Sequence, residues 1–457
     1  MNKKIYKALE KIVGPDYITD RDTDRQSYAY DATQIQAWPD GVLFPGTTQE
    51  ISEIVRLANG YQFPVVPRGA GSGMSGGSVP IRGGWVLVLL RMNRIKTIDS
   101  NNFLAVVEPG VITRDLQQAV EAKGLFYPPD PSSSHFSTLG GNLAECAGGG
   151  RAVKYGVTRD YVLGLEVVLP TGEILKTGVQ TAKGVVGYDL TRLMVGSEGT
   201  LGIITEMVLK LIPLPEARQT ILAFFDRMTL AAQAVVEIFR AGILPSVLEF
   251  MDHSSITCVE EFLHLGLPTQ AQALLLIEVD GDHEVVARQG ETIQHLCRKI
   301  GAGGVEKASS PSEAEELWKA RKSISPALFR LRPNKINEDI VVLREKIPEA
   351  IERFEAIGRR FELLVVSFGH AGDGNIHVNI MFDGNKPGEK EKAQEALAEI
   401  FKTVLELGGT LSGEHGVGLT KAPFLSLELD PVSLTLMKKI KDLFDPNHIL
   451  NPGKIFP

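Results

Sequence analysis

The sequence predicts an α+β protein of two domains, with a strand-rich first half threaded by glycine loops and a second half of ferredoxin-like α+β character. Three observations carry this reading. At 457 residues the chain is too long to close around one compact core. Its first half places closely spaced glycines at residues 67–77, 137–150 and 196–202, between short apolar runs of strand length. After Leu211-Ile212-Pro213-Leu214-Pro215, a proline-bracketed boundary, strand-like runs such as Ala273–Val279 alternate with long helical patterns. The expected organisation is an N-terminal helical segment over 1–38, a ligand-holding domain over 39–215, and a second domain over 216–457 that ends in a helical segment.

Composition narrows the function. A formal charge of −8 argues against a nucleic-acid partner, which would need a basic face. No apolar run reaches the length of a membrane span; the longest are Trp85–Leu90, Ile221–Phe225 and Ala273–Ile277. The N-terminus starts basic but lacks the apolar core of a secretory signal, and reads as an amphipathic surface helix. Cys146, Cys258 and Cys297 are too few and too scattered for an iron–sulfur cluster. Cys297 shares a helical face with Ile293, Leu296 and Ile300, which predicts core packing. The chain is expected to be intracellular, without disulfides.

In chain order, Thr48 is the N-cap candidate of a helix whose Ile51, Ile54, Val55 and Ala58 fall at helical spacing, with Gly60 as its stop. A strand at Phe63–Val66 then delivers Pro67-Arg68-Gly69-Ala70-Gly71-Ser72-Gly73-Met74-Ser75-Gly76-Gly77. Glycines this dense cannot hold a regular element. Their backbone N–H groups can turn toward one ligand, and a row of such donors suits a phosphate or pyrophosphate. Gly71-Ser72-Gly73-Met74-Ser75-Gly76 fits G-x-G-x-x-G, but that fingerprint needs a helix starting within the loop. Pro80, Gly83 and Gly84 follow instead, which weighs against a nicotinamide-type site. A strand at Leu104–Val111 and a helix at Thr113–Lys123 lead to a second unusual region, Tyr127–Gly156, and a strand and turn over Val162–Glu173 lead to a third, Gly196–Ile204. Three close backbone approaches suit a ligand longer than one phosphate group, such as a dinucleotide lying across the loops.

In the second half, Ser310-Pro311-Ser312-Glu313 opens a helix with Ser310 as N-cap, Pro311 at the first position and Glu313 completing a capping box. On that helix Trp318, Arg321 and Ser325 share a face by their spacing. Leu363–Ile380 reads as a hairpin turning through Gly372, Asp373 and Gly374. On its returning strand His377 and Asn379 point away from Ile376, Val378 and Ile380, and His370 sits at the opposite lip. A helix at Glu389–Leu407 feeds Ser412-Gly413-Glu414-His415-Gly416-Val417-Gly418. Any one loop histidine reads as polar surface. Together, two histidines and Glu414 would make a three-ligand site with a position open for substrate, the pattern of a catalytic Zn²⁺, leaving His415 as a base.

Pro67–Gly73, Gly140-Gly141-Asn142 and Gly196-Ser197-Glu198-Gly199-Thr200-Leu201-Gly202 together resemble the FAD-binding domain of the vanillyl-alcohol oxidase and p-cresol methylhydroxylase superfamily. Within it the chain is similar to the branch of D-lactate dehydrogenase, D-2-hydroxyglutarate dehydrogenase and the glycolate oxidase catalytic subunit, over about Pro39 to Lys454. The resemblance implies a two-subdomain FAD-binding domain of the p-cresol methylhydroxylase type, followed by a substrate and metal domain. It implies FAD held mainly by backbone, with Pro67, Arg68, Gly69, Ala70, Gly71, Ser72 and Gly73 at the pyrophosphate. Ser75, Pro129, Asp130, Ser137, Gly140, Gly141, Asn142, Gly148, Tyr155, Glu198, Gly199, Ile204 and Asn451 would line the rest. Some relatives attach flavin through a His beside the first loop. This loop has none, and His135 reads as exposed, so non-covalent FAD is expected.

The strings His370-Ala371-Gly372-Asp373-Gly374-Asn375-Ile376-His377 and Gly413-Glu414-His415-Gly416-Val417-Gly418 match the same branch. The resemblance implies His370, His377 and Glu414 as ligands of a divalent metal such as zinc, His415 as the base and Arg321 as the clamp on a substrate carboxylate. Ser325, where some relatives have Thr, Lys335 and Asn379 would lie at the substrate. The implied reaction is oxidation of a D-2-hydroxy acid to a 2-oxo acid. Electrons would pass to an external acceptor such as an iron–sulfur subunit or an electron-transfer flavoprotein. A homodimer is open, and the expected location is cytoplasmic, with attachment to the inner membrane through a partner also open. Two other readings remain at this level: a non-redox FAD transferase like the alkylglycerone-phosphate synthases, and a companion subunit that only relays electrons.

Overall fold

A computed structural model describes residues 3–456. The chain forms two compact units, one of Met1–Gly148, Val157–Leu214 and Glu414–Pro457, the other of Gly149–Gly156 and Pro215–Gly413. The segment from Glu414 onward, expected with the second domain, thus packs with the first unit. Its apolar residues Ile449 and Leu450 are buried in one core with Val65, Trp85 and Leu87. Asn451 Nδ2 donates to the carbonyls of Gly77 (2.8 Å) and Glu198 (2.7 Å), and Lys454 Nζ donates to the Val79 carbonyl (2.5 Å).

In the first unit, a sheet runs in the order Ile18–Thr19, Gly41–Leu43, Trp85–Val88, Val65–Arg68, and Trp85–Val88 is parallel to both of its larger neighbours. Trp85, Val86, Leu87 and Val88 are all buried, as a strand covered on both faces requires. A second, antiparallel sheet follows the order Ile95–Asp99, Leu104–Val107, Ile203–Lys210, Val162–Val168, Ile174–Gly178. The helix Thr48–Tyr61 buries Ile51, Ile54, Val55 and Ala58 as its spacing predicts. Its cap is Thr47, whose Oγ1 accepts the Glu50 N–H (3.1 Å) and so satisfies a first-turn donor. It runs past Gly60 to end at Gln62, whose left-handed conformation closes it.

The second unit is built on an antiparallel sheet in the order Gly304–Lys307, Ala217–Phe225, Ala273–Gly281, Val247–Asp252, Leu364–His370, Asn375–Phe382, Asn334–Val341. Helices His283–Ile300, Ile347–Phe361 and Glu389–Glu406 pack against these strands. Leu274, Leu276, Met251, Phe368 and Met381 share a core with Ile256 and Ala320. The helix Pro311–Lys322 begins at Ser310 as expected, with Ser310 Oγ accepting the Glu313 N–H (3.2 Å). The reciprocal bond lies one residue earlier, since Glu313 accepts from the N–H of Ser309 (2.7 Å). The helix stops at Lys322, and Ser325 belongs to a short following helix, Ile324–Ala327, joined to it through Ser323, which keeps a right-handed helical conformation. Cys297 and Ile293 are both buried, in line with core packing. No helix among the described residues is long and apolar enough to cross a membrane.

Candidate functional site

In the first unit, the strand Val65–Arg68 opens into a loop without regular structure. Among the described residues, no protein acceptor takes the N–H groups of Ala70, Gly71, Ser72 or Gly73, a row of donors suited to an anion. Close packing of the glycine loops shapes this cradle. A Cβ on Gly69 would lie 2.2 Å from Thr138 Oγ1, one on Gly140 2.6 Å from Pro109 Cβ, and one on Gly199 2.5 Å from Pro67 Cγ. Gly71 also has a φ of +72°, and its Cβ would meet the Arg68 guanidinium at 2.1 Å.

Several residues expected along the cofactor have protein partners that set the walls. Arg68 is 6% exposed, donates to the Tyr30 carbonyl (2.7 Å) and Ser78 Oγ (3.2 Å), and stacks on Tyr28. Asn142 Nδ2 donates to Thr113 Oγ1 (2.7 Å), which also meets Ser137 Oγ (3.0 Å), and the Pro129 carbonyl accepts from Gln117 (2.9 Å). Ile204 lies in a strand opposite Val167. Tyr155, in the second unit, donates its hydroxyl to Asp280 (2.9 Å) beside Lys154, which reaches the same carboxylate (2.5 Å). Glu198 accepts the N–H groups of Val417 (2.7 Å) and Gly418 (2.8 Å), while Glu145 accepts from Ser75 Oγ (3.1 Å). Burial raises both carboxyls above their ordinary range, and the nearby Glu198 charge raises Glu145 further. Glu198 thereby fixes the backbone just beyond His415, which is itself half-buried. His135 is exposed.

In the second unit, strand register assembles the polar site. Glu249 pairs with His370, Phe368 with His377, and His377 with Asp339, so the side chains of Glu249, His370, His377 and Asp339 share one face of the sheet. The two imidazole rings stand 5.2 Å apart between centroids at 82°. The segment before Glu414 is threaded along the edge strand: Thr410 exchanges backbone bonds with Val341 (2.9 and 3.0 Å), and Gly413 N–H donates to Asp339 Oδ2 (2.8 Å). A Cβ on Gly413 would lie 2.1 Å from Asn375 Nδ2. Ligand atoms of His370, His377 and Glu414 all lie within 4.8 Å of one another. Two imidazoles and a carboxylate are a donor set that fits a divalent cation such as Zn²⁺ with a coordination position open.

Beside this cluster, Glu249 Oε1 meets His370 Nδ1 (2.5 Å), and its Oε2 accepts from Arg321 Nε (2.6 Å) and pairs with the guanidinium Nη2 (2.6 Å). Burial alone would raise the Glu249 carboxyl, but Arg321 and His370 outweigh it and hold it below its usual range. Arg321 is 6% exposed and lies over the Phe368 ring at 4.9 Å. Lys335 Nζ donates to the Ser325 carbonyl (2.9 Å) and hydroxyl (2.6 Å), and burial lowers its amine to about 8. Asn379 is fully buried, and its Oδ1 has no hydrogen-bond partner among the described residues, an acceptor suited to a donor from a bound molecule.

The chain matches the family described as FAD linked oxidases, C-terminal domain, over residues 214–455, and an FAD binding domain over residues 39–178. It belongs to the FAD-linked oxidases. Among relatives of this oxidase, the glycolate oxidase subunit GlcD of Bacillus subtilis (strain 168) is 48% identical over 100% of this chain and 97% of its own length. The glycolate oxidase subunit GlcD of Escherichia coli (strain K12) is 38% identical over 95% and 88%, and the D-lactate dehydrogenase of Anaerostipes hadrus 37% identical over 99% and 98%. Among solved structures, p-cresol methylhydroxylase with substrate bound superposes with a TM-score of 0.83 at 18% identity, covering 99% of this chain and 96% of that one. An alkyldihydroxyacetonephosphate synthase gives 0.77 at 22%, covering 99% and 86%. These two likenesses establish the fold. The oxidase is thus an FAD-linked oxidoreductase.

The sequence reading of the oxidase missed Glu249, Asp339 and Glu145. Glu249 left a signal, being one acid inside the apolar strand run Val247-Leu248-Glu249-Phe250-Met251. An acid so placed must be buried and therefore paired.

Proposed function

We propose that the chain oxidises a small D-2-hydroxy acid, of the D-lactate, glycolate or D-2-hydroxyglutarate class, to its 2-oxo acid and passes the electrons to an external acceptor. The observation that supports this most is the convergence of His370, His377 and Glu414 within 4.8 Å, with Arg321 bound to the same Glu249 that holds His370. The relatives named glycolate oxidase subunit and D-lactate dehydrogenase agree with it. FAD, held non-covalently along Pro67–Gly73, Ser75, Pro129, Asp130, Ser137, Gly140–Asn142, Gly148, Tyr155, Glu198, Gly199, Ile204 and Asn451, supplies the hydride acceptor when bound. A divalent cation at the two histidines and Glu414, zinc by its donor set, would lower the cost of ionising a hydroxyl beside it.

The chain's own residues do the rest. Arg321 holds the substrate carboxylate through the part of its fork not committed to Glu249, which fixes the Cα–H direction. Asn379 and Lys335, with Ser325 behind it, face the substrate's polar groups. His415 receives the hydroxyl proton as the Cα–H bond breaks, the general-base role that imidazole side chains most often fill. The electron acceptor is an iron–sulfur subunit or an electron-transfer flavoprotein, consistent with the word subunit in the names of the GlcD relatives.

Anaerobic titration of the holoenzyme with a panel of 2-hydroxy acids tests this. A D-2-hydroxy acid should bleach the wild-type flavin. His415→Ala should keep its FAD but bleach about 10²–10⁴-fold more slowly. Bleaching at the wild-type rate would remove His415 from its role, and a flavin that no 2-hydroxy acid bleaches would remove the proposed reaction.

A further inference from the structure

We infer that Glu249 is the positioning residue of the metal site: it holds His370 in the tautomer with hydrogen on Nδ1, so that Nε2 is the nitrogen presented to a cation. This rests on the reading of His370 as a ligand. The geometry divides the carboxylate between two clients. Oε1 meets His370 Nδ1 at 2.5 Å, and Oε2 meets Arg321 at 2.6 Å through both Nε and Nη2. An ionised carboxylate only accepts, so the imidazole nitrogen facing it must donate. In the neutral imidazole that a cation binds, the other ring nitrogen then keeps its lone pair, which is what coordination requires.

The surroundings fix the carboxylate's own direction. Glu249 is 1% exposed and sits in the middle of the sheet, with strand pairing on both sides. The Arg321 Nε–H bond and the Nη2 ion pair hold Oε2 while His370 meets Oε1, so both oxygens are tied and the carboxylate does not turn freely. A Cβ on Gly150 would stand 2.8 Å from Oε1, so this glycine lets the Gly149–Gly156 segment lie directly over the Glu249–His370 bond. Arg321 therefore has two tasks, anchoring Glu249 through Nε and Nη2 and meeting substrate with its remaining edge.

The test uses the full-length, FAD-loaded protein stripped of metal and titrated with Zn²⁺ against a chromophoric chelator. Glu249→Ala should keep its FAD content while its Zn²⁺ affinity falls about 10–100-fold. Zn²⁺ affinity within twofold of wild type would overturn the inference. If the substitution prevents folding, two-bond ¹⁵N–¹H correlation on histidine-labelled wild type reads the tautomer directly, with His370→Gln assigning the signal. Hydrogen on Nδ1 supports the inference, and hydrogen on Nε2 overturns it. A wild type that takes up no Zn²⁺ sinks the metal reading and this inference together. A wild type that binds Zn²⁺ but whose flavin no hydroxy acid bleaches sinks only the proposed reaction.

Discussion

Gly413→Ala tests whether backbone packing alone delivers Glu414. The added Cβ would sit 2.1 Å from Asn375 Nδ2 and 2.8 Å from Val341 Cγ2. An ordinary carbon–nitrogen contact is roughly 3.4 Å, so the overlap is about 1.3 Å. Two relaxations are open. If Asn375 swings away, it gives up its bond to the Ile340 carbonyl (3.2 Å), a loss of about 1 kcal/mol in stability. If the strand-hugging segment lifts, the Gly413 bond to Asp339 (2.8 Å) stretches and Glu414 moves about an ångström from the imidazoles. Swinging Asn375 alone would leave the 2.8 Å approach to Val341 Cγ2, so part of the overlap falls on the second relaxation. A displacement of that size costs about 10²-fold in turnover. The assay pairs Zn²⁺ competition and flavin bleaching with thermal melting of the holoenzyme. The expected result is weakened metal binding and slow bleaching with a melting temperature close to wild type. Wild-type metal affinity and bleaching in Gly413→Ala would refute the claim that this glycine sets the carboxylate's place.

Gly71→Ala should lose FAD while the second unit stays folded, because φ is +72° and the Cβ would meet Arg68 at 2.1 Å; the flavin-to-protein absorbance ratio of the purified protein reads this, and a full complement of FAD would refute it. Lys335 carries a stability effect of predictable sign. Burial lowers its folded-state value from 10.5 to about 8, so below pH 8 the folded state holds a charge it disfavours, by at most about 3 kcal/mol. Between pH 8 and pH 10.5 the unfolded chain binds more protons than the folded one, and this penalty fades as pH rises. Lys335→Met should therefore be more stable than wild type in denaturant at pH 7, with the gap closing by pH 10, while the KM for hydroxy acid rises; a variant less stable at pH 7 would contradict the burial argument.

The sequence announced those parts of the oxidase that act locally. A glycine loop is legible because its function, close approach of backbone donors, resides in the glycines themselves. The hairpin from Leu364 to Phe382 is legible because alternation along a strand and a Gly-Asp-Gly turn are nearest-neighbour effects. The helix breaks at Ser323 because Pro326 has no N–H to donate to the Lys322 carbonyl, a local effect that the sequence reading did not use. Thr47 capped the helix in place of Thr48 because two adjacent threonines offer the same chemistry, and the entering chain direction chooses between them.

By itself, then, the sequence determined the inventory: glycine cradles, two histidines on a hairpin, and a carboxylate and imidazole between glycines. Tertiary structure decided how these groups are oriented. Glu249 lies 121 residues from His370 and meets it only through the pairing of two antiparallel strands, whose register is fixed by which face of the whole sheet must be buried. The same holds for Glu198, 219 residues from the Val417 N–H it accepts. Such contacts leave no trace in spacing, because the free energy that selects them is the burial of a core shared by distant segments.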